Sequence, residues 1–207
     1  MSEPVLDVPD GDYRLPAGKV AMVVTYLQTF ESPARAGIAA PDGVCLRAWH
    51  DVTVIDYLAL FREIGTPWLW YGRLQKSVAE LEAILADPHD EIYVAERGGR
   101  FVGLLELVIQ PDGDVEVGYF GLVPGETGRG LGSWLMDAGQ RIAWGKPATK
   151  RLWLHTCTAD APAALGFYRK MGFVPYARGL EIVTDPRLRG LHAVDAGPSS
   201  LPFIPLP

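Results

Sequence analysis

The run Leu122-Val-Pro-Gly-Glu-Thr-Gly-Arg-Gly-Leu-Gly132 constrains this chain more than any other segment. β-type residues stop at Pro124, and a glycine-rich turn opens directly into Leu131, Leu135, Ala138 and Ile142, which share one helical face. A strand must therefore become a helix through backbone with little Cβ bulk. Gly128, Gly130 and Gly132 let that backbone come close to a ligand. The first amides of a helix lack internal partners and lie at the positive end of its dipole. The segment is expected to hold phosphate with main chain rather than with basic side chains.

The spacing separates this loop from two other phosphate loops. A dinucleotide fingerprint needs Gly-x-Gly-x-x-Gly and an acidic residue about 20 positions on. Here the order is Gly-x-Gly-x-Gly, and the downstream region is a helix ending at Gly145-Lys-Pro147. A Walker-type loop needs Gly-Lys-Ser/Thr, and Leu131-Gly-Ser133 has no lysine. A turn whose glycines serve only strand–helix packing is the structural alternative.

The pattern Leu-Val-Pro-x-x-x-Gly-x-Gly-x-Gly resembles the acyl-CoA pyrophosphate loop of the GNAT superfamily of N-acetyltransferases. Carried over, Gly125, Thr127, Gly128, Arg129, Gly130, Leu131 and Gly132 would hold the pyrophosphate of coenzyme A. Thr127 departs from the family's usual Arg or Gln, although a hydroxyl can still contact phosphate. A second segment carries the same resemblance: Asp160-Ala-Pro-Ala-Ala-Leu-Gly-Phe-Tyr168-Arg-Lys-Met-Gly172-Phe173, an alanine-rich helix with a tyrosine, then Gly-Phe entering a strand. Asp160 or Ala161 would cap that helix, with Pro162 early in it and Gly172 at its end. Ala161 stands where the family often has asparagine. The resemblance covers roughly residues 74 to 184.

It implies an α/β (α+β) fold: a mixed, mainly antiparallel sheet of about six to seven strands flanked by about four helices. The fourth and fifth strands would diverge to form the cofactor slot. The residues themselves predict strands over Val20–Phe30 and Val44–Trp49 and a helix over Ile55–Ile64. Ser77-Val-Ala-Glu80 is a capping box opening a second helix. Three strands then follow through the turns Gly98-Gly99 and Asp112-Gly113. Later strands are Arg151–Cys157, Phe173–Arg178 and, after a turn at Gly179, Glu181–Thr184. Residues 1–18 read as a loose leader, 19–184 as one acyltransferase domain, and 185–207 as a Pro-rich tail that packs along the domain or a second subunit, compatible with a homodimer.

With 207 residues, 48% of them hydrophobic and 21% charged, the composition is that of an ordinary globular chain. Net charge is −6 without a basic block, which argues against nucleic acid as partner and suits a cationic amine. Cys45 and Cys157 have no metal-ligand spacing, and no metal is expected. No apolar run reaches the roughly 18 to 20 residues of a membrane span, and the N-terminus has no signal-peptide core; the expectation is a soluble protein of the cytoplasm.

Acyl transfer from a thioester needs a neutral amine, a donor for the developing oxyanion and a proton for the departing thiolate. By resemblance Tyr168 supplies that proton, and a phenol near pKa 10 can do so. Glu116 and Glu106, on successive strands, are candidate bases, directly or through water. His155 could relay a proton or bind acceptor, whereas direct transfer needs no nucleophile from Cys157. Leu122 and Val123 would offer main-chain groups to the pantetheine arm. Trp68, Trp70, Tyr71 and Arg73 could form an acceptor pocket, the arginine holding a carboxylate or the rings an ammonium; equally, the tryptophans could plug one end of the sheet. The reading is an acetyl-CoA-dependent transferase acting on a primary amine of a small molecule, peptide or protein. The alternative is a degenerate domain that binds CoA as sensor or scaffold.

Overall fold

The computed structural model describes residues 5–206; Met1–Pro4 of the expected leader and Pro207 of the tail lie outside them. Seven strands form one sheet in the order β2-β3-β4-β5-β6-β1-β7. The strands are β1 (Lys19–Thr29), β2 (Val44–Ala48), β3 (Asp90–Arg97), β4 (Arg100–Ile109), β5 (Asp114–Leu122), β6 (Arg151–Cys157) and β7 (Val174–Thr184). The α-helices are α1 (Val54–Gly65), α2 (Val78–Ala86), α3 (Leu131–Trp144) and α4 (Ala164–Lys170). This is the expected mixed α/β architecture, with β5 and β6 as the parallel pair in an otherwise antiparallel ladder.

Local chemistry accounts for the ends of the elements. Ser77 and Glu80 form the capping box of α2, and Thr53 caps α1 by accepting from the Asp56 amide. After α1 the chain makes a short 3₁₀ turn and then a left-handed residue, Leu69, at φ 55°. On α3 the buried positions include Leu131, Leu135, Met136, Gly139 and Ala143, whereas Ala138 and Ile142 are only partly buried. Gly139 shifts that face by one position: Leu105 of β4 occupies the space where a Cβ would stand, 2.7 Å away.

Two expectations need correction. β7 is continuous, and Gly179 lies within its ladder opposite Val24 rather than in a turn. Its missing Cβ admits the Tyr26 ring at 3.1 Å. Helix α4 begins at Ala164 with Ala163 as its N-cap, not Asp160 or Ala161. The Asp160 carboxylate instead accepts from Thr156 Oγ1 at 2.7 Å and the Cys157 amide at 2.8 Å, which fixes the end of β6.

The tail packs back on the body. Arg187 is buried against Asp185 at 2.7 Å and donates to the carbonyls of Ala196 and Leu201. His192 Nε2 lies 2.9 Å from the Trp70 carbonyl, and Gly197 sits against Leu69. Residues 5–17 are exposed and carry no helix or strand.

Candidate active site

The parallel pairing of β5 with β6 stops early. Asp114, Val115 and Glu116 pair with Arg151, Leu152 and Trp153, and no pairing joins the two strands beyond them. β6 remains paired with β1 as far as Cys157, and β5 with β4 as far as Leu122. The sheet therefore opens between residues 117–122 and 154–157. A bulge at Gly118 sharpens the divergence, because Glu106 faces Tyr119 while Leu107 faces Val117.

At the upper end of this gap, β5 runs into the glycine loop. Gly125, Gly128 and Gly130 have φ of 90°, 77° and 81°, and a Cβ added to any of them would meet nothing within 4 Å. Their conformations require glycine, and the space beside them is open. Gly130 is the N-cap of α3, with no side chain closing the helix start. Thr127 and Arg129 are exposed at its rim. Leu131 is buried, and Gly132 lets Leu122 and Phe167 pack close to the helix. The cradle thus fits an anionic group approached by main chain.

Backbone directions along β5 correct one expectation. The Val123 amide donates to Val102 of β4 at 3.1 Å, and its carbonyl accepts from the Glu126 amide at 3.2 Å. Val123 therefore uses its N–H internally, and its carbonyl already accepts one hydrogen bond. Alternation in an antiparallel ladder then points the groups of Leu122 and Phe120 toward the gap.

One face of the gap is aromatic. Phe120 stacks on Phe167 of α4, with centroids 5.6 Å apart and planes 13° apart. The Tyr168 ring meets Phe120, Phe167 and Phe173 edge-on at 6.2, 5.3 and 6.3 Å. Gly172 turns the chain at φ 96°, and the Phe173 amide returns to the Tyr168 carbonyl at 3.1 Å, which holds the tyrosine's backbone. Burial pushes its phenol above the usual tyrosine range, and the Asp160 charge adds to that.

The opposite face is acidic. Glu116 Oε1 lies 3.8 Å from His155 Nδ1, with the carboxylate 20% exposed and the imidazole 46% exposed. Burial raises the Glu116 pKa, while His155 and Arg73 oppose the rise. Cys157, two residues beyond His155 on the same strand face, has its thiol pushed up to about 11, chiefly by burial. Tyr71 donates to Glu181, tying the segment after α1 to β7. Burial, then that hydrogen bond, raises the Tyr71 phenol.

Glu106 is placed differently from Glu116. Its Oε2 lies 2.8 Å from Arg73 Nη2, and its Oε1 accepts from the Tyr57 hydroxyl. Burial pushes the carboxyl upward, and Arg73 with Tyr57 pulls it back. Burial works most strongly against the Arg73 charge, but Glu106, Tyr57 and Tyr119 together outweigh it. Trp70 packs between Phe61 and Tyr119, at 5.3 and 5.2 Å, and fills the space left by Gly65 and Gly121. Trp68 is partly buried in the turn just before it. The roles of Gly65, Gly121 and Tyr119 were not legible in the sequence, because nothing local marks which ring a glycine will admit.

The family model of GNAT acetyltransferases matches residues 47–173. The chain belongs to the GNAT family of acetyltransferases. Solved structures agree on the fold. A functionally unknown conserved protein from Staphylococcus epidermidis is 18% identical, with a TM-score of 0.58 over 81% of this chain and 63% of its own. A GCN5-related N-acetyltransferase from Sphaerobacter thermophilus is 18% identical, with a TM-score of 0.58 over 79% of this chain and 51% of its own. This chain thus spans about half to just under two thirds of their lengths. An aminoglycoside acetyltransferase from an uncultured soil metagenomic sample is 16% identical, with a TM-score of 0.53 over 63% of this chain and 88% of its own. No curated protein matches in sequence.

Among the described residues, no group of three or more His, Cys, Asp or Glu could hold a metal ion, and no helix is long and apolar enough to cross a membrane. Two open recesses of about 400 and 600 Å³ lie around His50 and Leu85 and share no residue with the GNAT loop or the gap. Titratable groups converge instead at the gap between β5 and β6, where Glu116 and His155 meet.

Proposed function

We propose that this GNAT protein moves an acetyl group from acetyl-CoA directly to a primary amine of a small molecule, peptide or protein, with both substrates bound together. The observation that carries this reading is the gap between β5 and β6. The glycine loop closes one end, Tyr168 stands on one face, and Glu116 with His155 stands on the other.

Acetyl-CoA supplies an activated thioester. The open cradle of Gly125, Thr127, Gly128, Arg129, Gly130, Leu131 and Gly132 would hold its diphosphate by amides at the start of α3. Main-chain groups of Leu122 and Phe120 would align the arm along β5. Glu116 accepts the amine proton, directly or through water and His155; its raised pKa narrows the gap to that of an amine. Tyr168 remains protonated at neutral pH and gives its proton to the leaving sulfur. Cys157 stays a thiol at neutral pH, in keeping with direct transfer rather than a covalent acyl-enzyme.

The acceptor side favours a cationic amine. The Arg73 charge is met by Glu106, so Glu116 and Glu181 set the sign of that face. Tyr71, Trp70 and Trp68 would line it, while Arg73, already paired with Glu106, would act through that pair rather than by holding a carboxylate of the acceptor. The two free cysteines suit a reducing cytoplasm. The test is thiol release from acetyl-CoA over a panel of amines and carboxylate-bearing amino acids, with Tyr168→Phe beside the wild type. Turnover on amines that Tyr168→Phe loses supports the reading; CoA binding without turnover on any amine favours the sensor or scaffold alternative.

A further inference from the structure

An ion pair ties the glycine loop to a neighbouring hairpin. Glu126 lies between Gly125 and Thr127, within the turn that the Glu126 amide closes on the Val123 carbonyl. A carboxylate at that point opposes a diphosphate approaching the same amides. Its Oε2, however, lies 2.5 Å from Nη1 of Arg97, and the two side chains are only 17% and 30% exposed. Arg97 belongs to neither the loop nor α3. It is the last residue of β3, delivered by the tight hairpin in which Gly98 and Gly99 take φ of 58° and 78°. That hairpin holds a guanidinium beside the only carboxylate between Leu122 and Gly132.

We propose that Arg97 is a positioning residue of the diphosphate loop: it cancels the Glu126 charge and ties the start of the loop to the β3–β4 hairpin. The proposal rests on the reading of the loop as the CoA site. Without Arg97, the carboxylate would face the two charges of a diphosphate unmasked. At a separation of about 8 Å and a nearly aqueous dielectric, that is roughly a three- to tenfold loss of affinity. The effect is electrostatic and should weaken with salt. A pair that only braces the hairpin would show neither rescue nor salt dependence.

The test is calorimetric titration of acetyl-CoA into wild type, Arg97→Ala, Glu126→Gln and the double variant, at about 50 and about 500 mM salt. Melting curves without ligand report the fold of each. Arg97→Ala should bind roughly three- to tenfold more weakly at low salt, with the difference shrinking at high salt. The double variant should return to within about twofold of wild type, because removing the carboxylate removes the need for its mask. Glu126→Gln alone should bind as tightly as wild type or more tightly, which keeps the test open if Arg97→Ala folds poorly. A double variant as weak as Arg97→Ala, a loss equal at both salts, or weaker binding by Glu126→Gln overturns the proposal. Absence of acetyl-CoA binding by the wild type would instead remove the CoA reading of the loop, and this proposal with it.

Discussion

Arg73 Nη2 stands 2.8 Å from Glu106 Oε2, with the arginine 11% and the glutamate 3% exposed. The Tyr57 hydroxyl donates to the other carboxylate oxygen, and Arg73 Nε lies 3.2 Å from that hydroxyl. Three segments far apart in sequence meet at this triad: α1, the stretch before α2, and β4 at the bulge. The pair joins the stretch before α2 to the sheet and removes Arg73 as a free cation.

Breaking that pair from one side leaves a buried charge uncompensated. Arg73→Met or Glu106→Gln should each destabilise the fold by about 3–5 kcal/mol in urea unfolding. The double Arg73→Met/Glu106→Leu variant should lose less than either single change. Equal or greater loss in the double would show that the triad's worth lies in its hydrogen bonds and shape rather than in charge compensation.

Tyr168→Phe keeps the ring that packs on Phe120, Phe167 and Phe173 and deletes only the hydroxyl. The kcat should fall by roughly 10²- to 10⁴-fold, as for loss of a general acid. The dissociation constant for acetyl-CoA should stay within about twofold of wild type, since the proposed cofactor loop is untouched. A change confined to KM would assign Tyr168 to packing or acceptor binding.

A base must be deprotonated to act, so activity rises with pH through the base's pKa. Burial lifts Glu116, so the acidic limb of kcat/KM should lie above the ordinary glutamate value of about 4.3. Glu116→Gln should remove that limb along with most of the rate. A limb that persists unchanged in Glu116→Gln would transfer the role to His155 or to water.

Gly130 takes φ 81° at the N-cap of α3. Gly130→Ala should cost about 1–2 kcal/mol of stability, because a Cβ strains the left-handed conformation. It should also weaken acetyl-CoA binding by placing a methyl in the cradle. Urea unfolding and calorimetry of the same variant separate the two effects, and unchanged affinity would place the diphosphate elsewhere.

Asp137, 3% exposed, accepts from Arg141 at 2.8 Å and from the Ile38 amide at 3.0 Å, and lies 2.9 Å from Arg35. Burial alone would raise its pKa, but these partners outweigh it and the folded value is lowered. The stability it contributes is present above the unfolded value of about 4 and is lost as pH falls through the lower folded value. Asp137→Asn should therefore destabilise by about 1–3 kcal/mol at neutral pH, and the gap from wild type should close on acidification. A difference constant from pH 7 down to about 3 would contradict the assignment.

Much of this could be read from the chain before its structure. Helix and strand positions followed from periodicity and caps, as at Ser77–Glu80, because those signals are local. The loop 124–132 was legible because its glycines answer a backbone requirement set within the segment itself. The pairs Arg73–Glu106 and Arg97–Glu126 were not, since they join residues 33 and 29 positions apart and depend on strand register. Gly179 misled for a related reason: its glycine serves the Tyr26 ring across the ladder, not a turn. Asp160, one of two candidate caps for α4 beside Ala161, instead turns its carboxylate back to the end of β6.

The central claim is that the glycine loop holds acetyl-CoA. Its most direct test is thermal unfolding with saturating acetyl-CoA, beside NAD and ATP. At about 100 times the dissociation constant, linkage gives roughly 2.7 kcal/mol of stabilisation. For a chain of this size that is a rise of roughly 5–10 °C in midpoint. A rise with acetyl-CoA alone, diminished in Gly130→Ala, is the predicted result. No rise, or a larger one with NAD or ATP, would contradict the assignment of the loop and of the chemistry built upon it.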